Sequence, residues 1–519
     1  MLRGLFPRMV SKLKDMKKVV RHLRYSLFGI LCAGMVIAVA SSCDTQATID
    51  EFVGVQKSAA FDPSKPVTIS DFSPHSGAQG QKLILFGNNF GNDTSIVKVS
   101  IGGRPAPLIN VKNDELYCFV PNKAFSGEIQ VTVGDSLHSQ TAVADSLFNY
   151  QRKMVVGSLC GYRNERDDQG WHDGPFETCT GFRKDCCMNF DPKFHDRIYV
   201  AYDGGPGLQL IDLKNRTVST VMTNSMFNGI NRLRSVDFTA DGNDLLITTD
   251  GGYGQYRWPV VWLVTRNADG SFTNNSPVNL IASYRDCNFA VAHPVNGEIY
   301  FNSYDKGEML RLDLDAYKRT VNEGGTWKPA LPDHQGVDED IRVLWTIQDN
   351  NWEFKMFIHP SGNYAYIVCV NQNYILRTDY NAATKTFAPP YIVGGLMRNP
   401  GYVDGVGTAA RINRPYQGVF VKNPDYVKEG RTDQYDFYFC ETENHCIRKL
   451  TPDGMFVTYA GRGEEGHAQD GSYYGNEDGD LRSVARFRNP NAITYDEKTN
   501  TFYIVDVGNR KIRTISVEQ

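Results

Sequence analysis

The sequence predicts an all-β protein made of a small β-sandwich followed by a ring of six β-sheets. Three observations predict this fold. The 519 residues include 47 Gly, 27 Tyr and 28 Phe, and these residue types favour turns and strands over helical bundles. Short segments that alternate apolar and polar residues are separated by turn residues along the chain. The last two-thirds of the chain also repeats one pattern at a steady interval, which is typical of a ring of similar sheets.

Residues 1–42 have the layout of a secretory signal. Four basic residues between positions 17 and 24 precede an apolar run from Leu27 to Ala40, and small residues then lead into Cys43. The run is too short to be a confident membrane span. The segment resembles a bacterial lipoprotein signal, which implies lipid attachment at Cys43 and anchoring in the outer membrane. Ordinary secretion is the alternative, and the polar residues 43–65 are expected to be a tether.

The charge of the chain disfavours nucleic acid as a partner. The sequence carries 55 basic and 59 acidic side chains, and basic residues are concentrated in the signal segment. The remainder is therefore clearly negative, whereas nucleic-acid binders neutralise phosphates with Lys and Arg.

The cysteines predict one region of disulfide bonding. Nine cysteines follow Cys43, and an odd number leaves at least one unpaired even in an oxidising compartment. Four of the nine fall within 28 residues and are expected to contain a disulfide: Cys160, Cys179, Cys186 and Cys187. A zinc site is the alternative, although no second ligand pair with zinc spacing follows nearby.

Residues 66–150 predict the sandwich. Five short alternating segments lie at 67–69, 82–86, 97–101, 116–120 and 129–133. Glycines occupy the turns between them, and Phe90 is expected to fill the space between the two sheets. The stretch resembles the immunoglobulin-like IPT/TIG family on these residues: Pro74, Gly77, Gly80, Gly87, Phe90, Gly91, Gly102, Gly103, Pro121, Gly127, Phe148 and Tyr150. The resemblance implies a spacer or interaction domain.

The rest of the chain, residues 151–519, carries the repeat. Residues 410–415 align with residues 485–490, and each segment follows an Asp-Gly pair. An apolar residue followed by Arg recurs at Arg311, Arg377, Arg448 and Arg513, at intervals of 66, 71 and 65 residues. These marks resemble NHL repeats, which implies a β-propeller of four-stranded blades. The interval exceeds the usual ~40–50 residues per blade, so long loops are expected.

Six blades are predicted from six innermost strands. These strands are expected at residues 188–190, 233–238, 289–292, 354–358, 418–421 and 492–495. A second strand follows each of them after a turn. Residues 153–158 precede the first blade but resemble the end of an outermost strand. They are expected to complete the last blade, which removes an open edge.

The candidate ligand-binding residues lie in the loops that lead into the innermost strands, because propellers bind ligands where these loops converge. Aromatic rings can stack on the apolar face of a sugar while Arg, Asp and Asn pair with its hydroxyls. The candidates are Trp171, Arg183, Arg232, Tyr256, Trp258, Arg285, Asp286, Trp352 and Tyr416. Longer insertions add Tyr402, Tyr473 and Tyr474. Packing inside a blade is the alternative for each ring, and it is the role expected of Trp262 and Trp345.

No catalytic residue, metal site or cofactor is predicted. The sequence has no HExxH zinc motif, P-loop, nucleophile elbow or dinucleotide fingerprint. Asp185, Asp286 and Glu353 could serve glycoside hydrolysis only if two of them converged, and the sequence does not place them.

Three functions are consistent with the sequence. A lipid anchor, an IPT/TIG module and an NHL propeller together resemble the surface lipoproteins of Bacteroidetes that accompany glycan-uptake systems. That resemblance implies a surface-exposed protein that binds polysaccharide or oligosaccharide for outer-membrane transporter components. A protein-binding scaffold and a propeller hydrolase or lyase are the alternatives. The sequence favours a binding protein over an enzyme.

Overall fold

The computed structural model describes residues 59–135, 137–161, 170–251, 257–329, 340–347, 353–462 and 473–519. It divides into two compact units, Met1–Gln151 and Arg152–Gln519. Cys43, the predicted signal and most of the predicted tether lie outside the described residues. No helix in the described ranges combines the length and apolar character needed to cross a membrane.

The first unit is the predicted β-sandwich. Alternation along Val97–Ile101 buries every second side chain, as a strand with one face on a core requires. Phe90 is fully buried, which confirms its expected place in the core. One sheet contains, in spatial order, Thr68–Ser73, Lys82–Asn88, Glu115–Phe119 and Leu108–Lys112, and the other contains Arg104–Pro105, Val97–Ile101, Ile129–Gly134 and Ser139–Val143. The short strands Ser76–Gly77 and Asn149–Tyr150 pair in parallel.

The second unit is a propeller of six blades, and all six predicted innermost strands are confirmed. Each blade is an open antiparallel sheet. Blade 1 contains, from the centre outward, Cys186–Phe190, Arg197–Tyr202, Gly207–Asp212, Thr217–Thr223 and Gly174–Pro175. Blade 2 contains Leu233–Phe238, Asp244–Thr249, Trp258–Thr265 and Val278–Tyr284. Blade 3 contains Ala290–Ala292, Ile299–Ser303, Glu308–Leu312 and Ile341–Thr346.

The remaining three blades repeat the arrangement. Blade 4 contains Phe354–Ile358, Tyr364–Cys369, Tyr374–Asn381 and Tyr391–Gly395, with Thr386–Phe387 beside the third strand. Blade 5 contains Pro415–Lys422, Tyr435–Glu441, Cys446–Leu450, Met455–Gly461 and Gly405–Val406. Blade 6 contains Pro490–Asp496, Thr501–Asp506, Lys511–Val517, Met154–Cys160 and Gly479–Asp480. Among the residues that the structure describes, two α-helices lie in connections, at Leu314–Asn322 and Pro424–Lys428.

The ring is completed by a strand from the start of the unit, as predicted. Met154–Cys160, the closing strand, pairs antiparallel with Lys511–Val517, the last strand of the chain. The innermost strands of blades 6 and 1 also lie next to each other. The two ends of the propeller are therefore joined by a ladder of backbone hydrogen bonds, which leaves no unpaired edge between them.

The repeated Arg has a structural role in blade 5. Arg448 lies on the third strand and is fully buried. Its guanidinium lies 2.9 Å from the buried Glu441 carboxylate on the second strand. It also lies 3.0 Å from Asp404, the Asp of the repeated Asp-Gly pair. One buried cation thus ties the second strand and the outer edge of the blade to the third strand.

Blade 6 repeats this arrangement with Arg513. Its guanidinium lies 2.9 Å from Asp506 and 2.6 Å from Asp478, the Asp of the second Asp-Gly pair. Burial raises the pKa of Asp506 to about 6, although Arg513 opposes the shift. In blades 5 and 6, the repeated Arg and the repeated Asp-Gly pair therefore take part in the same arrangement of buried ion pairs.

Most of the hydrophobic core lies within and between adjacent blades. Trp262 and Trp345 are both buried, which confirms the packing role expected of them. The Trp262 indole donates to Thr249 Oγ1 at 3.0 Å, and the Trp345 indole donates to the Phe387 carbonyl at 2.9 Å. Each ring is thus buried with its one polar atom satisfied.

Candidate functional site

The upper face of the propeller is the face on which the innermost strands begin. At its centre lies a network of charged side chains, here called the central plug: Arg234, Asp250, Glu353, Lys355 and Tyr416. Arg234 lies 2.7 Å from Glu353 and 3.3 Å from Asp250. The Lys355 ammonium lies 3.4 Å from Glu353 and donates to two backbone carbonyls. Attraction between these opposite charges holds the side chains of the plug together.

Electrostatics inside the plug favour the ionised form of Glu353. Burial alone would raise the pKa of Glu353, but Arg234, Lys355 and a hydrogen bond from Tyr416 lower it to about 2. Burial disfavours the charged form of Arg234 as well, yet Glu353 and the nearby aspartates raise the pKa of that guanidinium. The two groups therefore hold each other in the charged state.

Asp250 has a different environment within the same plug. Burial raises the pKa of Asp250 to about 6, and a hydrogen bond with the Asp286 carboxyl acts in the same direction. The positive charges of Arg234 and Arg232 oppose this shift. Tyr304 also donates its hydroxyl to Asp250, at 3.2 Å. Asp250 and Asp286 are thus close enough to share a hydrogen bond, and Asp203 and Glu353 also contact Arg234 on this face.

Three ion pairs surround the plug and are partly exposed. Arg232 lies 2.7 Å from Asp203, Arg285 lies 2.7 Å from Asp305, and Arg414 lies 2.8 Å from Asp185. Each pair joins different strands or blades. Arg232 and Arg285, two predicted ligand-binding residues, therefore already have protein partners, so a ligand would have to compete with an aspartate for them.

The structure changes the interpretation of three other candidates. Tyr416 is 1% exposed and Asp286 is 5% exposed, so neither presents its side chain to a ligand on the surface. Both were predicted to bind ligand at the mouth of the central channel, and their burial means that a ligand would have to reach into the channel to contact them. Trp258 packs against the core between blades 2 and 3, which is the alternative role considered for each candidate ring. Tyr256 and Trp352 lie outside the described residues.

Trp171 and Arg183 lie together on blade 1. The Trp171 ring packs against Tyr202 with ring centroids 4.6 Å apart, and the Arg183 guanidinium lies 5.9 Å from the Trp171 ring. Gly181 fits beneath the ring, since a Cβ there would lie 2.4 Å from Trp171. Trp171 is half-buried, so only part of its ring is available for stacking.

Three aromatic residues of the upper face lie over blades 5 and 6. They form, with two arginines, the aromatic ridge: Tyr402, Arg462, Tyr473, Tyr474 and Arg488. The Arg462 guanidinium lies between two rings, 3.6 Å from Tyr402 and 4.1 Å from Tyr473. The Arg488 guanidinium lies 4.9 Å from the Tyr474 ring. Tyr473 is 46% exposed and Tyr474 is 37% exposed.

A polar groove continues from the ridge toward blade 1. Its volume is about 530 Å³, within the range of small-molecule sites. Its walls include the end of the closing strand and a turn of blade 6, with Ser158, Glu177, Asn476, Asn509 and Lys511 among the lining residues. Asn476 follows Tyr474 by two positions, so the ridge and the groove adjoin.

A second cavity occupies the central channel below the plug. Its volume is about 280 Å³, and residues of all six innermost strands line it, from Lys355 down to Pro294 and Pro360. Gln417 spans part of it, exchanging hydrogen bonds with the Met188 backbone at 3.0 and 2.6 Å. The channel is therefore separated from the upper face by the plug.

Sequence reasoning singled out Tyr402, Tyr473 and Tyr474 but missed Arg462 and Arg488. The sequence repeat could have indicated both arginines. Arg462 directly follows the strand-ending glycine of blade 5, and Arg488 lies inside the second aligned segment. No group of three or more His, Cys, Asp or Glu suited to a metal ion occurs in the described part of the chain.

Comparison with known proteins gives matches to both units. Residues 66–150 match the IPT/TIG domain family, which confirms that prediction. A Bacteroides thetaiotaomicron structure described provisionally as a phosphatase is 48% identical, with 89% of this chain and 99% of that chain covered and a TM-score of 0.83. An auxiliary nutrient binding protein of the same organism is 40% identical, with 89% and 100% covered and a TM-score of 0.76.

A third structure extends the group to another species. An auxiliary nutrient binding protein from Bacteroides ovatus is 34% identical, with 89% of this chain and 100% of that chain covered and a TM-score of 0.63. No curated protein matches this sequence significantly. The similarity to the three Bacteroides structures thus spans the sandwich and the propeller together.

Proposed function

Because the chain belongs to the same family as these three Bacteroides proteins, two of which are auxiliary nutrient binding proteins, we propose that it binds a nutrient. The nutrient is a saccharide, and it binds on the upper face at the aromatic ridge and the adjoining polar groove. The observation that carries this proposal is the exposure of Tyr473 and Tyr474 beside Arg488, next to a groove lined by amide and charged side chains.

The chemistry of the ridge suits a sugar. The apolar face of a pyranose ring stacks on an exposed aromatic ring, and hydroxyls pair with amide or guanidinium groups. Tyr473 and Tyr474 supply adjacent rings, while Asn476 supplies an amide in the groove. Asn509 offers only its carbonyl oxygen, because its amide nitrogen already donates to Gly475 and Asp506. The plug, by contrast, is buried and pairs its charges with one another, so its groups are less accessible to a ligand.

The proposal includes a location and partners. The lipoprotein-like signal supports attachment of lipid at Cys43, which would hold the propeller at the outer-membrane surface beside transporter components. With full-length protein in a Bacteroides host, Cys43→Ala is expected to abolish incorporation of labelled palmitate and release the protein from the membrane fraction. Labelling that persists in this variant would contradict the location.

Replacing both ridge tyrosines is expected to weaken saccharide binding strongly. An aromatic packing contact contributes about 0.5–1.5 kcal/mol beyond the area that it buries, so Tyr473→Ala with Tyr474→Ala should reduce affinity by about 10- to 100-fold. The measurement is isothermal titration or retardation of the protein in gels that contain a panel of plant, microbial and host polysaccharides.

The matched control is Tyr391→Ala. Tyr391 is 51% exposed on the outer strand of blade 4, away from the ridge, so its loss should leave binding unchanged. Equal affinity of the ridge variant and the wild type would contradict the site. Retention by no saccharide would favour the scaffold alternative, and release of reducing ends or of phosphate over time would favour an enzyme.

A further inference from the structure

The closing strand ends at a cysteine that meets a second cysteine. Cys160 is the last residue of Met154–Cys160, and Cys179 follows the short edge strand of blade 1. Both are free thiols that pack in the same core cluster and interact with each other, and the Cys179 thiol also donates to the Phe176 carbonyl at 3.8 Å. The backbone N–H of Gly161, the residue after Cys160, also donates to the Cys179 sulfur.

Both sulfurs lie in one apolar cluster. Cys160 and Cys179 belong to the core shared by blades 6 and 1, and both are buried. The backbone around Cys179 is fixed, because its N–H donates to the Pro175 carbonyl at 2.8 Å and the next residue bridges to His172. The thiols therefore meet at a defined position.

We propose that Cys160 and Cys179 form a disulfide in the mature protein, which covalently fastens the closing strand to blade 1. Of the four clustered cysteines, the structure favours this pair. Cys186 and Cys187 are consecutive on one innermost strand, so their side chains point to opposite sides of the sheet. The bond would add a covalent link to the seam that the strand ladder already closes.

The reaction is a thiol–disulfide exchange. The oxidant is a small-molecule or protein disulfide of the cell envelope, and both thiols reach it while the chain folds. The Cys179 thiolate attacks one sulfur of that disulfide and releases the other as a thiolate. The Cys160 thiolate then displaces the second oxidant sulfur, so two protein thiols lose two electrons and two protons while the oxidant becomes two thiols.

In the folded protein, the contact between the two thiols shifts their pKa values in opposite directions. Burial raises the pKa of Cys160, and the hydrogen bond with Cys179 raises it further. The pKa of Cys179 is lowered by the hydrogen bond from Cys160, against burial.

Peptide mapping tests the proposal directly. Trypsin separates the relevant cysteines, because cleavage after basic residues gives Cys160 in peptide 154–163, Cys179 in peptide 167–183 and the Cys186–Cys187 pair in peptide 185–193. The full-length protein is refolded with oxidised and reduced glutathione, alkylated in denaturant and digested without reductant. A linked ion of 154–163 with 167–183 that disappears on reduction is expected.

A stability measurement supplies a second readout. The bond closes a loop of about 20 residues, so reduction should lower the Tm of the wild type by about 5 °C. The Cys179→Ser variant should show no such shift, while the buried Cys287→Ser control should behave as the wild type. Cysteines 160 and 179 that remain fully alkylated after oxidation, or that link to peptide 185–193, would overturn the proposal.

Discussion

Replacing Arg448 with Met is expected to lower the free energy of unfolding of the propeller by about 3–5 kcal/mol. Met has a similar length but no charge, so the change leaves the Glu441 carboxylate fully buried without its cation. Burial already raises the pKa of Glu441 while Arg448 opposes the shift. Urea or guanidinium unfolding, followed by tryptophan fluorescence and circular dichroism, measures the loss.

The control is the same substitution at Arg377, which holds the equivalent repeat position in blade 4. Arg377 is partly exposed, pairs with a half-exposed Asp379 at 2.8 Å and stacks over Tyr364 at 3.8 Å. Its replacement should cost only about 1 kcal/mol, because exposed ion pairs and cation–π contacts contribute little. Equal losses of unfolding free energy at the two positions would show that the stability contributed by the repeated Arg does not depend on burial of its ion pair.

A double variant separates the missing cation from a packing defect. Adding Glu441→Gln to Arg448→Met removes the uncompensated charge, so part of the lost stability should return. If the double variant is less stable than the single one, the destabilisation came from lost packing and lost hydrogen bonds to the amide groups around Glu441.

The fold could be predicted because its determinants are local. Alternating strands, Gly-containing turns and the repeated apolar-Arg step lie within single blades, and each blade can be read without its neighbours. The closing strand differs only in that its partner strand lies far away in the sequence. Its residues 153–158 resembled a blade end, so the sequence indicated the seam although its partner Lys511–Val517 is about 350 residues away.

The candidate site was less predictable because its charges are paired across blades. Arg232 and Arg285 stand in the expected loops, but Asp203 and Asp305, which neutralise them, come from other strands. No spacing in the sequence joins these partners. The burial of Tyr416 could not be predicted for the same reason, since burial at the channel depends on six blades meeting there.

For the aromatic ridge, the sequence indicated the exposed rings but not the residues beside them. Tyr473 and Tyr474 were noted as adjacent rings in a long insertion, and an insertion remains exposed unless another loop covers it. Their combination with Arg462 and Arg488 required the fold, because these arginines follow a strand of blade 5 and precede a strand of blade 6. Exposure of an insertion can be anticipated, whereas its neighbours cannot.

Replacing Glu353 with Gln should destabilise the propeller by about 3 kcal/mol at pH 7, since the change leaves Arg234 and Lys355 buried with less compensating charge. The folded-state pKa of Glu353, about 2, lies below the ordinary value of 4.5. A carboxylate with a lowered pKa contributes stability that is complete above the unfolded-state pKa and is lost as pH falls toward the folded-state value.

The difference in unfolding free energy between wild type and Glu353→Gln should therefore be constant from pH 7 to about pH 5 and shrink between about pH 4.5 and pH 2. Glu443→Gln is the matched control. Glu443 is 45% exposed and lies 3.5 Å from Arg414, so its loss should cost under about 1 kcal/mol. A difference that does not change with pH would mean that Glu353 is not held ionised by Arg234.

The same variant separates the plug from the ligand site. Glu353 lies at the centre of the upper face, whereas the ridge lies over blades 5 and 6, so folded Glu353→Gln protein should bind saccharide with wild-type affinity. The ridge variant should show the reverse, weak binding with normal stability. Loss of binding in both would place the ligand over the central plug, where Arg234 and Lys355 would then exchange carboxylate partners for ligand hydroxyls.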